Sequence, residues 1–218
     1  MEISPYKLLQ PLIWRSRREK FERFMALVTP SANDWVLNDG AGFYGIRASD
    51  NFLEGWYPYP ERITALDVTL RGAATFRSRH PKPEMLCADG LALPFPDDTF
   101  DIGFSNAVVE HVGDRERQQR YVRELLRVSR KVCVITPDRA FPVDIHMLVP
   151  FAHWLPRSLQ RAALRPFGRQ DLAETRVLNL LSWDEFRRLF PAELKVKFLR
   201  IRLLGLPYSM IGFACKTD

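Results

Sequence analysis

The chain has 218 residues, 46% of them hydrophobic, and 32 Lys and Arg against 26 Asp and Glu give a formal charge of +6. That length carries one good core and that hydrophobic content is ordinary, which excludes a disordered chain and favours one domain. No apolar run reaches the roughly 18 residues a membrane-spanning helix needs, and the basic cluster at 15–20 follows an apolar stretch, the reverse of a secretory signal; the expectation is cytoplasmic residence.

Residues 8–28 open the chain, and 15–28 read as an amphipathic helix with Phe21, Phe24, Met25 and Val28 on one face, placed to cover a sheet edge or the mouth of a site. A first strand at 35–38 runs into the turn VLNDGAG, where Gly40 and Gly42 let backbone approach a ligand closely. A short helix in 43–56 and an aromatic-proline loop lead to a second strand, 63–66, ending in Asp67 and Val68. A carboxylate at that place can accept two hydrogen bonds from a ribose diol. A brief helix at 71–79 precedes a third strand at Met85, after which Asp89-Gly90 and the proline-broken loop 93–96 lead to a fourth strand, 101–105, closing on Ser105-Asn106. A clear helix at 115–129 and a buried fifth strand at 132–136 complete an alternating pattern that predicts a parallel, doubly wound sheet.

The run from Asp89 to His111 reads D-x-x-x-L-P-F-x-D-x-x-F-D-x-x-x-S-N-x-x-x-E-H. With the glycine turn and the acidic strand end before it, this run resembles the type 11 branch of the class I S-adenosylmethionine-dependent methyltransferases across residues 35–137. The segment 141–156 is similar to one found in bacterial members. The resemblance implies an α/β fold, a doubly wound, mostly parallel seven-stranded sheet of Rossmann-like methyltransferase type. It carries a helical, aromatic insertion before a C-terminal antiparallel strand pair. One domain spans 1–218, divided into a helical cap (1–30), a cofactor half (31–138), an insertion or lid (139–181) and a C-terminal helix and strand pair (182–218). The implied cofactor is S-adenosyl-L-methionine. Asp89 and the Gly90 N–H would meet adenine, Asp67 the ribose, and Ser105 and Asn106 the methionine side, with Asn38, Asp39, Gly40, Gly42 and Val68 also counted as cofactor-binding. Two departures stand out. The family's acidic residue is Asn38 here, with Asp39 expected on the opposite strand face, and Tyr44 replaces a glycine. They leave open a second reading, a binding or scaffold protein that keeps the fold without turnover.

Methyl transfer needs a proton acceptor only when the nucleophile is a hydroxyl or ammonium. His111 and His146 are the candidates, each also readable as a structural histidine; Glu110 is a further candidate base, and His153 reads as packing. No zinc-like partner set is visible around them, so no metal is expected. Cys87, Cys133 and Cys215 are widely separated in strand-like contexts and read as small core residues. The positive charge suits an anionic acceptor but forms no stripe interleaved with aromatics, so no nucleic acid is expected. The aromatic segment 146–156, followed by Arg157, Arg161 and Arg165, suits either a lid over a small or lipid-linked acceptor or a peripheral contact with an anionic inner membrane face.

Overall fold

A computed structural model of the protein describes residues 5–43, 51–144 and 146–216, with side chains from residue 11 onward. Tyr44 and Gly45 lie outside the described residues. Seven strands form one sheet in the order β3-β2-β1-β4-β5-β7-β6. Strands β1 (Val36–Asp39), β2 (Ile63–Asp67), β3 (Glu84–Cys87), β4 (Phe100–Asn106) and β5 (Ser129–Pro137) are parallel. Strand β7 (Leu206–Cys215) runs antiparallel between β5 and β6 (Val196–Leu203). The expected parallel sheet with an antiparallel final pair is therefore the architecture found.

Parallel strands are covered on both faces, and β1 and β2 are buried at every position. Alternation then sorts each strand into two cores. Leu37, Leu66, Val132 and Val134 face helix α4 (Arg115–Val128), with Tyr121, Val122 and Leu125, and helix α6 (Trp183–Arg187), with Phe186. Val36, Ile63, Ile102, Phe104 and Ile135 face helices α1 (Pro5–Val28), α2 (Phe52–Trp56) and α3 (Ala73–Arg79). In that second core Phe104 meets Phe24 edge-on at 4.8 Å and Phe52 at 6.0 Å. Phe104→Ala removes the keystone of this aromatic contact and is expected to cost about 3–5 kcal/mol, read as a lower denaturant midpoint with an unchanged slope.

Two local findings differ from the sequence reading. Helix α1 starts at Pro5 and lies across a sheet face against α2, β5 and β6, and none of its described side chains borders the principal cavity. Only Cys133 is a core residue; Cys87 and Cys215 are exposed, because one closes the edge strand and the other ends β7.

Helix α4 begins at Asp114, whose carboxylate accepts the Arg117 N–H, and its fully buried Gln118 amide donates to the carbonyls of Val109 and Asn179. Gln118 thus ties residues 139–181 to the sheet. That segment packs a small core of its own from Met147, Ala152, Leu164, Ala173, Leu178 and Leu180, and rejoins the body where Asp138 bridges to Leu181. Helix α6 opens on the reciprocal cap the sequence signals: Ser182 and Glu185 each accept the other's backbone N–H.

Candidate active site

The carboxyl ends of β1 and β4, neighbours whose connections leave in opposite directions, are where an open α/β sheet places its crevice. A cavity of about 690 Å³ lies there, a size that suits a nucleoside-bearing ligand. Its acidic wall is built from three adjacent strand ends: Asp39 closes β1, Asp67 closes β2 and Asp89 follows β3.

Each carboxylate is held differently. Asp67 accepts the backbone N–H of Phe43, from the glycine turn, and of Thr69, both at 3.1 Å. A carboxylate offers about four lone-pair sites, so capacity remains for a diol. Asp89 accepts the Leu91 N–H at 2.9 Å through one oxygen. Asp39 is 2% exposed, and its Oδ2 has no hydrogen-bond partner among the described residues. Burial pushes its carboxyl up to about 7, Tyr121 opposes the shift, and the neighbouring charges of Asp89 and Asp67 reinforce it.

Backbone closes the rest of this wall. Gly40 has φ +88°, and a Cβ there would overlap Val108. A Cβ at Gly90 would sit 2.5 Å from Asp39 Oδ2 and 2.6 Å from the Tyr121 ring. The chain therefore comes as close to the cavity as glycine permits. An orphaned buried carboxylate, two further carboxylates and a glycine cradle fit a ligand that carries a cation, a diol and an amino-heterocycle.

The sequence-predicted residues divide. Asp39, Gly40, Gly42, Asp67, Val68, Asp89, Gly90 and His111 border the cavity. Asn38, Ser105 and Asn106 do not. Alternation turns Asn38 to the α2 face, where its Nδ2 donates to Glu54 Oε1 at 2.5 Å, and turns Asp39 toward α4. The expected facing of the pair is thereby reversed. Ser105 is fully buried and shares a 2.7 Å hydrogen bond with the Tyr121 hydroxyl, which itself borders the cavity. Tyr121 lies on the otherwise aliphatic buried face of α4, and a tyrosine there, needing a partner for its hydroxyl, is the sequence signal that marks it. The rim also includes the exposed Arg117 and Arg176, which were not singled out.

His111 stands at the other side of the turn. Its Nδ1 lies 2.8 Å from the Val177 carbonyl and its Nε2 3.1 Å from Nε2 of His146. Asp144, 5% exposed, holds Nδ1 of His146 at 3.2 Å. Burial disfavours the charged imidazole, but the Asp144 carboxylate outweighs it and raises the His146 pKa above the ordinary value. His153, 8% exposed, bonds the Arg139 carbonyl and stands apart from this pair.

Sheet order, crevice and acidic wall define a Rossmann-like class I methyltransferase fold. Residues 45–135 match the model of the type 11 "Methyltransferase domain" family. Over those residues the chain is similar to class I S-adenosylmethionine-dependent methyltransferase domains. It is 35% identical over 78 residues to a probable S-adenosylmethionine-dependent methyltransferase of Mycobacterium tuberculosis, covering 36% of this chain and 28% of that protein. It is 29% identical over 119 residues to a malonyl-[acyl-carrier protein] O-methyltransferase of Pectobacterium atrosepticum, covering 55% of this chain and 44% of that one. The chain thus matches less than half the length of these relatives. Among solved structures it shares its fold with the N-methyltransferase NodS of Bradyrhizobium japonicum, determined with S-adenosyl-L-homocysteine. There the TM-score is 0.61 at 12% identity, covering 100% of this chain and 94% of that one.

Proposed function

We propose that the protein transfers the methyl group of S-adenosylmethionine to an acceptor that is small or lipid-linked and carries negative charge. The observation that carries this reading is the acidic wall formed by Asp39, Asp67 and Asp89 on three successive strand ends. Asp67 would hold the ribose hydroxyls, Asp89 with the Gly90 backbone the adenine, and Asp39 the ammonium of the methionine part. Asn38 and Ser105 act behind the wall, the first on Glu54 and the second on Tyr121. The missing acidic residue at position 38 does not leave the cavity without a carboxylate, because Asp39 faces it. That favours a working methyltransferase over a scaffold.

Bound there, the cofactor supplies an electrophilic methyl group on a sulfonium. The protein's share is to align the acceptor and exclude water. His111, on the cavity wall, and His146 behind it are the groups placed to act on the acceptor. Arg117 and Arg176 at the rim favour an anionic one.

The insertion supports a lipid-linked acceptor reached at the cytoplasmic face of a membrane. No described helix is long and apolar enough to cross a bilayer. Yet Leu148, Phe151, Trp154, Leu155, Leu159 and Phe167 are exposed in one short segment that also exposes Arg157, Arg161 and Arg165. Apolar side chains flanked by arginines suit an anionic lipid surface. The protein should co-sediment with vesicles containing anionic lipid at low salt and be released at high salt. Methyl-labelled S-adenosylmethionine incubated with extracted membranes should leave label in the organic phase. Sedimentation indifferent to salt and lipid charge removes the electrostatic contact with an anionic membrane face. Label absent from every fraction, with the cofactor bound, removes turnover.

A further inference from the structure

Two histidines 35 positions apart present bare nitrogens to each other. The Val177 carbonyl can only accept, so Nδ1 of His111 carries the proton and its Nε2 is a lone pair. Asp144 accepts from Nδ1 of His146 in the same way, which leaves that Nε2 bare in the neutral ring. These two Nε2 atoms lie 3.1 Å apart with the rings at 81°. Two facing lone pairs at that distance require a positive charge between them.

A third group points to what that charge is. Glu110 is fully buried, its Oε2 accepts from Thr136 Oγ1 at 2.9 Å, and its Oε1 has no partner among the described residues. One donor atom each from Glu110, His111 and His146 fall within 4.8 Å of one another. The charge of Lys20 reaches Glu110, yet no described ion pair joins them, and burial lowers its ammonium to about 8. A shared proton would satisfy the imidazoles and leave Oε1 of Glu110 orphaned. A metal ion satisfies all three. Two nitrogens about 2.0–2.1 Å from a tetrahedral centre stand a little over 3 Å apart, close to the separation seen. Both rings are also oriented from behind, by a carbonyl and a carboxylate, as ligating histidines are.

We propose that Glu110, His111 and His146 form a binding site for one divalent first-row metal ion of the zinc type, with Asp144, Thr136 and the Val177 carbonyl orienting the ligands. Such a set fills three positions and leaves the fourth open, and of the three ligands His111 borders the cavity. Resting on the methyl-transfer reading, the open position would take a hydroxyl or carboxylate oxygen of the acceptor. A bound ion lowers the pKa of a hydroxyl without any side-chain base. The adjacency of Glu110 and His111 is visible in sequence; their meeting with His146 depends on the insertion folding back.

The test uses the full chain, stripped of metal with a chelator and titrated with Co²⁺, with S-adenosylhomocysteine calorimetry on the same samples. One equivalent of Co²⁺ should give the intense visible bands of a four-coordinate site, displaced by Zn²⁺. His146→Ala, at a partly exposed position, should abolish the bands while keeping S-adenosylhomocysteine affinity within about twofold, and Glu110→Gln should weaken the metal at least tenfold. Absence of the bands in a protein that binds S-adenosylhomocysteine overturns the metal site and leaves the methyl-transfer reading standing. Bands that persist in His146→Ala overturn the ligand assignment. Metal binding without S-adenosylhomocysteine binding keeps the site and overturns the reading beneath it.

Discussion

Asp39→Asn is expected to stabilise the protein at pH 8 and at the same time to weaken S-adenosylmethionine. The carboxyl ionises near 3.8 when exposed and near 7 when folded, because burial and two neighbouring carboxylates oppose its charge. Below pH 3.8 it is neutral in both states and costs nothing. Between 3.8 and about 7 only the unfolded chain releases the proton, so stability falls as pH rises and levels off above 7. A shift of that size corresponds to about 4 kcal/mol, which the asparagine variant should retain at pH 8. Glu54, raised to about 7 by burial, titrates in the same window, so the variant should keep one of two sloping contributions.

The ligand reverses the sign. An ammonium seated on Asp39 favours the ionised form, so affinity in the native protein should climb about tenfold per pH unit from 5 to 7 and then flatten. Asp39→Asn should flatten the profile throughout and reduce affinity at pH 8. Calorimetry across this range checks both halves. A variant that binds as tightly as the native protein at pH 8 shows that the ammonium lies elsewhere.

The second large effect is at Asp67. Its carboxylate serves the ligand and the turn together: one oxygen holds the Phe43 N–H and the other the Thr69 N–H. Alanine removes the acceptors for both backbone donors and for a ribose diol. Hydrogen bonds to a charged group contribute about 1.5–3 kcal/mol each, so a loss of at least about a hundredfold in S-adenosylhomocysteine affinity is expected. Asp67→Asn keeps an acceptor but loses the charge and should fall between the two. Equal affinity in the native protein and Asp67→Ala would falsify the ribose assignment. Denaturant unfolding of the same variant separates the turn's share, since lost Phe43 and Thr69 bonds lower stability with or without ligand.

How far the sequence carried this account depends on the range of the interaction. Strands β1, β2, β4 and β5 are legible because buried parallel strands are short apolar runs closed by glycine, aspartate or proline, and the segment from Asp89 to His111 adds spacing. Asp67 and Asp89 are legible for the same local reason: each follows a strand end. The facing of Asn38 and Asp39 is not. Alternation says that they point apart, but which one meets the cavity is decided by the helix opposite each face, α2 for Asn38 and α4 for Asp39. Tyr121 reads as one more core position because its bond to Ser105 crosses from helix to strand. Helix α1 was expected at an edge or mouth, and only packing of Phe24 on Phe104 shows that it lies across a sheet face. The pairing of His111 with His146 is the least visible feature of the site, since it needs residues 139–181 to return over the turn after β4.

The central claim is that the crevice between β1 and β4 is an S-adenosylmethionine site built on three strand-end carboxylates. Calorimetric titration of the folded protein with S-adenosylhomocysteine at pH 8 tests it most directly. Saturable binding at one site per chain is expected, weakened by Asp67→Ala and by Asp89→Ala. A folded protein that binds neither S-adenosylhomocysteine nor S-adenosylmethionine contradicts it.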